Sequence, residues 1–328
     1  MARTQSVCNT SFSCLDTVLK IVPMDDMKSE TLYILIVTHN AERWLATCCH
    51  KAEELPHCWQ IIVVDNSSSD ETTKIIKKDY PHICLIESKE NLGFGRANNL
   101  GLKMALEAGA DYVFLLNQDA SISIEAIQEL IALHKEHPEC LILSPVHLNG
   151  AGDELDHAFG RLCAPPSCPK LILDGLQGKT RKIYHTENGI AAAWLLARET
   201  LTMIGGFNPL FYHYGEDEDY VNRVLFHGYK AGVATGVFAR HNREQRPRKK
   251  AVDTKFIDRL IDMTNPARPA PSRGRIAWSF VRPLCKALAK GNFGLAGFLM
   301  RSCGAFIRGG KNRIEYRNRA SGKKPDFL

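Results

Sequence analysis

The sequence predicts a doubly wound α/β fold with a mostly parallel sheet, followed by a basic, partly helical C-terminal extension. Three observations predict it. Short apolar runs of strand length alternate with helical stretches between Tyr33 and Leu116, the pattern of parallel strands covered on both faces. Each run ends in a polar turn bearing a carboxylate or a glycine, and such sheets collect ligands at the carboxyl ends of their strands. The charge also breaks near Arg240: from there onward 22 Lys and Arg face 6 Asp and Glu, while the remainder holds 20 and 30. An acidic body joined to a basic tail implies a partner for the tail.

In chain order, residues 1–30 lack a clear period and read as a poorly ordered extension. Tyr33–Val37 is a continuous apolar run ending at Thr38-His39-Asn40, followed by a helical stretch over about Glu42–Leu55. Ile61–Val64 is a second buried strand ending at Asp65-Asn66-Ser67-Ser68-Ser69-Asp70, where Ser69 or Asp70 caps the next helix. A third strand, Ile83–Ile86, leads into the glycine-bearing Asn91–Gly95 and a helix from Arg96 to Ala108. A fourth, Tyr112–Leu116, ends at Asn117-Gln118-Asp119. Beyond it come a helix over Ile124–His134, a strand over Leu141–Ser144 and a loop-rich part around Pro165-Pro166. The apolar segment Ile190–Leu196 leads to a helix and then Gly205–Asn208. Glu216–Asp219 open another helix, with acids at its positive end, and Val233–Ala239 is a strand reaching His241. Residues 246–250 and 266–275 read as linker-like, and Ile276–Arg308 as a pair of basic amphipathic segments. The expected division is 1–30 as extension, 31–245 as the catalytic domain and 246–328 as the basic region.

With 45% hydrophobic and 24% charged residues in 328, the chain can build a proper core. Its 11 cysteines include adjacent Cys48 and Cys49, form no CxxC pair, and place Cys163 five residues from Cys168. That argues against a disulfide framework or zinc knuckle and for reduced thiols. No apolar run approaches the roughly 18 residues that span a bilayer, and the stretch from Cys14 to Val22 is broken by Asp16 and Lys20, unlike a signal peptide. The expectation is a cytoplasmic protein, soluble or peripheral on the inner face of the cell membrane.

Five constellations can carry chemistry. Asp119 at a strand end can ligate a divalent cation bridging nucleotide phosphates, or simply cap a turn. Asp65 can accept from a base or ribose, or simply cap a turn. Gly93 and Gly95 let backbone N–H groups approach a phosphate or a strand closely, or simply form a tight turn; they are not GxGxxG, and Thr38–Ala41 has no glycine after the first strand, which an NAD-type site requires. The tetrad Glu216-Asp217-Glu218-Asp219 can supply a general base, or be surface charge, and the flanking Phe211, Tyr212, Tyr214 and Tyr220 suggest a setting suited to sugar stacking. His241 is a structural histidine unless paired with a residue such as Asp119.

The ordered set resembles family 2 of the inverting glycosyltransferases, of GT-A (Rossmann-like) fold, over about residues 33–245. Ile36-Val-Thr-His-Asn40 resembles the family's opening VTYN, Val63–Asp70 resembles VVDNGSSD, and Asn91–Gly101 is similar to NLGFAxAxNxG. Leu115–Asp119 stands at the DxD position, and Gly205–Asn208 followed by Glu216, Asp217, Asp219 and Arg223 resembles GGFDExFFxYxEDxDxxxR. The Leu-Leu-x-Gln-Asp form is similar to that of the rhamnosyltransferase branch. The resemblance implies a nucleotide-binding site of Thr38, Asn40, Asp65, Asn66, Gly93, Asn99 and Asn117, with Thr38, Asn40 and Asp65 on the base and ribose. It further implies a Mg²⁺ or Mn²⁺ site of Asp119 with His241, and Asp217 as catalytic base with Glu216 as the fallback. Asn117 replaces the first Asp of DxD, which implies looser metal binding. The implied reaction is inverting transfer from dTDP-rhamnose or a UDP-hexose to a hydroxyl of a glycan or lipid-linked acceptor, in cell-surface polysaccharide synthesis. The rival is a non-catalytic glycan- or nucleotide-binding scaffold of the same descent. Trp278 and Phe280 among cations in Ile276–Lys290 suit an anionic membrane surface; no nucleic-acid motif accompanies the charge.

Overall fold

A computed structural model describes residues 30–49, 52–245, 254–308, 310–322 and 327–328; the extension expected over the first 30 residues and the linker expected at 246–250 fall outside these, apart from Glu30. The described residues form nine strands in one sheet: β1 (Leu32–Thr38), β2 (Trp59–Asp65), β3 (Cys84–Glu87), β4 (Tyr112–Asn117), β5 (Ala120–Ile122), β6 (Cys140–Leu148), β7 (Ile183–Thr186), β8 (Ala193–Ala197) and β9 (Lys230–His241). Their order is β3-β2-β1-β4-β8-β6-β9-β5, with β7 also on β9. The first four strands are mutually parallel, and strand order reverses between β1 and β4, the place where doubly wound sheets open a crevice. β8 then enters antiparallel between β4 and β6. The α/β class holds, but the share of parallel pairing is smaller than expected, because β5, β7 and β8 all pair antiparallel with their neighbours.

Strand alternation splits the core in two. Ile34, Ile36, Ile61, Val63, Phe114 and Leu116 face one side, against Leu45, Ile127, Leu130 and Ile131. Tyr33, Leu35, Ile62, Val64, Val113 and Leu115 face the other, against Ala97, Leu102, Ala105, Tyr220 and Val224. Both faces of the central strands are therefore covered, which is why they read as unbroken apolar runs.

The covering helices are α1 (Leu45–Cys48), α2 (Thr72–Asp79), α3 (Phe94–Glu107), α4 (Ile124–Glu136), α5 (His157–Cys163), α6 (Leu171–Leu176), α7 (Arg198–Met203) and α8 (Glu216–Phe226). Ser123 caps α4 by accepting from Ala126 N–H. The helix expected over Glu42–Leu55 is instead a 3₁₀ turn (Glu42–Trp44) and the single turn of α1: Thr47, Cys48 and Cys49 are weak helix formers. β6 runs four residues past the expected Ser144, through Pro145, because the strand register shifts at Pro145/Val146, the place where a missing N–H is tolerated. The part expected to be loop-rich carries α5, α6 and β7. After it, α9 (Thr254–Thr264), α10 (Arg273–Ala289), α11 (Phe293–Arg308) and α12 (Gly310–Ala320) follow. α9–α11 bury Leu260, Ile261, Phe280 and Phe306 on Phe211, just ahead of α8.

One buried ion pair holds the turn in front of α8. Arg223 Nε donates to Asp219 Oδ2 at 3.0 Å, and its other nitrogens donate to the carbonyls of Ile204 (2.8 Å) and Gly206 (2.7 Å). Asp219 Oδ1 accepts from Asn208 Nδ2 at 3.2 Å. Asp219 and Arg223 are thus scaffold, not surface charge. Replacing Arg223 with Ala leaves a buried carboxylate without its cation, and urea unfolding is expected to show a loss of about 3–5 kcal/mol. A loss below about 1 kcal/mol would show that the turn holds without the pair.

Candidate active site

The parallel register levels the strand ends. Thr38 lies opposite Asp65, and Val37 opposite Asn117. Thr38 Oγ1 donates to Asp65 Oδ1 (3.0 Å), and Ser68 N–H donates to Oδ2 (2.9 Å). The Asp65 carboxylate is buried and held by its own loop. His39 N–H donates to Gln118 Oε1 at 2.7 Å, tying the end of β1 to the turn after β4. Asn40 adopts a left-handed backbone (φ 50°) and accepts from Ser69 N–H at 2.8 Å.

Two residues expected to hold nucleotide are engaged elsewhere. Asn99 donates to Phe207 O (2.8 Å) and accepts from Phe207 N–H (2.7 Å), so its amide clamps the turn before α8. Asn66 accepts from Leu92 N–H (2.7 Å) and donates to Asn91 Oδ1 (3.1 Å), locking the two loops beside β2 and β3 together. Gly93 sits at φ +82°, and a Cβ there would lie 2.1 Å from Tyr212 O, so its glycine is required by close approach of the 207–212 segment.

Across the crevice, Asp119 Oδ1 stands 3.4 Å from His241 Nε2, and His241 Nδ1 stands 3.7 Å from Asp156 Oδ2. Pairing of Ala120 with His241 across β5 and β9 brings them together. Asp156 also caps α5, accepting from Ala158 and Phe159 N–H, and takes a 3.0 Å bond from Arg243 Nε. Burial pushes the Asp156 carboxyl up, but the Phe159 N–H and Arg243 outweigh it and hold it below the ordinary range. An imidazole with one nitrogen facing a candidate ligand carboxylate and the other a supporting carboxylate is the arrangement that orients metal-binding histidines.

The acid tetrad divides by position. Glu216 and Asp219 are buried, whereas Asp217 and Glu218 are half-buried. The Asp217 carboxyl accepts from Glu218 N–H at 3.2 Å and also from Ala191 N–H. Burial pushes its pKa above the usual carboxylate range despite those bonds and the nearby Arg243. Ala191 leads into β8, and Ala192 O accepts Asn117 N–H at 2.9 Å. The chain next to Asn117 therefore also carries the contact to Asp217, and Arg243, bonded to Asp156, lies near enough to Asp217 to favour its charged form. The residues picked from separate motifs converge on one edge of the sheet. Of the four aromatics expected to line a sugar site, Phe211 and Tyr220 are core residues instead, Tyr220 donating to Gly205 O at 2.7 Å. Only Tyr212 and Tyr214 keep exposed surface.

Sequence reasoning missed Asp156 and Arg243. The only local signal for Asp156 was a helix-cap residue ahead of an apolar pair, and nothing in the chain announced that its other oxygen meets β9.

Beneath His241, His147 stacks on Phe159 (ring centroids 4.6 Å apart) and meets His241 edge-on. Burial, with His241 adding to it, pushes its pKa down to about 3. The folded state thus binds this proton less readily than the unfolded chain. The contribution is complete above about pH 6.5 and is lost as pH falls toward 3, with a slope approaching about 1.4 kcal/mol per pH unit. Urea unfolding between pH 7 and 4 is expected to show a flatter profile for His147→Gln than for the unchanged chain; identical slopes would contradict the assignment.

The model described as Glycosyl transferase family 2 matches residues 33–199. The chain is similar to dTDP-rhamnosyl transferase RfbF of Shigella flexneri, 28% identical over 121 residues, covering 37% of this chain and 40% of that protein. It therefore spans less than half of RfbF's length. It is also similar to N-acetylglucosaminyl-diphospho-decaprenol L-rhamnosyltransferase of Mycobacterium tuberculosis (strain CDC 1551 / Oshkosh), 24% identical over 227 residues, covering 60% of this chain and 71% of that one. Among solved structures, S. aureus TarS in complex with UDP matches with a TM-score of 0.52 at 14% identity, over 76% of this chain and 68% of that one. The mannosyltransferase PcManGT from Pyrobaculum calidifontis, with GDP-Man and Mn²⁺, matches with a TM-score of 0.51 at 16% identity, over 94% and 92%. At these identities the structures establish the shared fold.

Proposed function

The chain belongs to glycosyl transferase family 2 and is a glycosyltransferase of GT-A fold, and from that premise we propose that it moves a sugar, with inversion, from a nucleoside diphosphate donor to a hydroxyl of a glycan or lipid-linked acceptor. The donor favoured is dTDP-rhamnose, with a UDP-hexose second; both the sequence form around Asn117-Gln118-Asp119 and the rhamnosyltransferases similar to this chain support that order. The observation that carries the reading is the convergence of Asp65, Asp119 with His241, and Asp217 at one sheet edge. We assign residues 31–245 to the catalytic domain and 246–328 to the basic region.

Thr38, Asn40 and Asp65 hold the base and ribose, with Asn117 toward the phosphates. Gly93 bounds the same side, and Asn66 and Asn99 keep its loops in place. Asp119 Oδ1 and His241 Nε2 offer an oxygen and a nitrogen donor at a separation that two ligands of one cation can adopt, so the residues fit Mg²⁺ or Mn²⁺. When bound, such a cation supplies neutralisation of the charge that grows on the departing diphosphate. Asp217 takes the proton from the acceptor hydroxyl as that oxygen attacks the anomeric carbon from the face opposite the leaving group. Glu216, more deeply buried, is the fallback base.

A base works only when ionised. Because burial raises the Asp217 pKa, transfer is expected to fall with decreasing pH at higher pH than for an ordinary carboxylate. Asp217→Asn is expected to lower the transfer rate about 10²–10⁴-fold while donor binding stays within about twofold. A panel of nucleotide sugars scored for diphosphate release, with and without Mn²⁺, identifies the donor for that comparison. Retention of more than half the rate by the variant would exclude Asp217 as base. Nucleotide binding with no transfer to any acceptor would favour the scaffold reading, which the Asn at position 117 motivates.

The extension supports action at an anionic membrane surface. No helix is long and apolar enough to cross a membrane among the described residues. Yet α10 and α11 expose Trp278 (63%), Phe293 (74%) and Met300 (56%) alongside Arg282, Lys286, Lys290 and Arg301, as interfacial helices do. Cosedimentation of the purified chain is expected with vesicles containing anionic lipid and not with neutral ones; equal partition into both would refute the electrostatic part.

A further inference from the structure

A cavity of about 310 Å³ lies between α9, the loop 265–272 and α10, a size at the lower end of ligand pockets. Its lining carries three arginines, Arg259, Arg268 and Arg275, against a single carboxylate, Asp262, which pairs with Arg268 at 2.8 Å. The same lining includes the apolar Met263, Ile276 and Phe306. The cationic lining is built rather than loose. Arg259 donates to Ser279 Oγ (2.9 Å) and Ser279 O (2.6 Å) and lies 4.0 Å over the Phe280 ring. Arg317 donates to the carbonyls of Met263 (3.0 Å), Asn265 (2.7 Å) and Arg268, fixing the loop that presents Arg268.

The cavity adjoins the acid site. Ile257 of α9 contacts the position of Gly215, immediately before Glu216. Arg268 and Asp262 both lie near enough to act on the carboxyl of Glu218, the neighbour of Asp217. An excess of planar guanidiniums recognises phosphate oxygens in pairs, and the apolar residues of the same lining accommodate a hydrocarbon stem. The ligand that satisfies both is an anionic head joined directly to an apolar chain.

We propose that this cavity is an acceptor subsite that binds the diphosphate head and first prenyl unit of a lipid diphosphate, holding the acceptor's sugar beside Asp217. The inference rests on the glycosyltransferase reading of the neighbouring site. Neither Asp119 nor His241 lines the cavity, and nucleotide and lipid diphosphate are expected to bind together.

Calorimetric titration of the full chain tests this, with farnesyl diphosphate, farnesol and inorganic diphosphate as probes, each at saturating dTDP and Mn²⁺. Farnesyl diphosphate is expected to bind at least tenfold more tightly than either of the other two, and Arg268→Ala with Arg275→Ala to weaken it about tenfold or more. Both arginines are exposed; should the double variant melt early, the single Arg275→Glu change gives the same comparison. Unchanged affinity in the folded variants, displacement of farnesyl diphosphate by the nucleotide, or equal binding of inorganic diphosphate would each overturn the subsite. Failure of the unchanged chain to bind UDP or dTDP would instead count against the donor site, and the titration without nucleotide would still decide the cavity.

Discussion

The in-register parallel pairing of β1 with β2 and β4 is the constraint on which the rest of the site depends. It sets Thr38 level with Asp65, and the turn after β1 level with the turn after Asn117. Side chains that belong to motifs dozens of residues apart therefore leave the sheet at one height, where strand order reverses. A one-residue slip would turn every core side chain of β1 to the opposite face. The same register that packs the core therefore fixes the site.

Around that edge, polar side chains act as clamps between loops rather than as free recognition groups. Asn66 binds the Asn91–Gly93 loop, Asn99 binds Phe207, Gln118 binds His39, and Arg223 with Asp219 holds the 204–208 turn. The bonds of Asn99 and Arg223 replace the water that the backbone groups of Phe207, Ile204 and Gly206 would otherwise lose. The arrangement leaves Asp217 at the start of α8 with its carboxyl aimed toward Ala191 while its neighbours Glu216 and Asp219 face inward. Four consecutive acids thus do different jobs because a helix turns successive side chains by about 100°.

Much of this was legible along the chain. The strand runs, their polar ends and the helix starts at Glu216 and Ile124 follow from unbroken apolar stretches and from acids or cap residues in place, and the structure puts them within a few residues of expectation. The short α1 and the long β6 were not legible, since Thr47–Cys49 are weak helix formers and a bulge accommodates Pro145. The aromatics near the acid tetrad read alike on paper; Phe211 and Tyr220 turned inward because the C-terminal helices and the Arg223 turn needed apolar cover. Among the candidate site residues, Asp65, Asp119, Asp217 and His241 converge, whereas Asn66 and Asn99 serve the loops.

The sequence by itself determined the fold class and the ordered set of motifs, because burial of both sheet faces and capping of helices are local patterns written in periodicity. Only the tertiary structure decided that Asp156 stands behind His241, that Arg243 bonds Asp156, and that three arginines of the basic region close on one cavity. The relations around His241 and Arg243 join residues 26 to 87 positions apart. Nothing in their own neighbourhoods encodes such a meeting, because the sheet register and the docking of α9 on the segment before α8 set the distances.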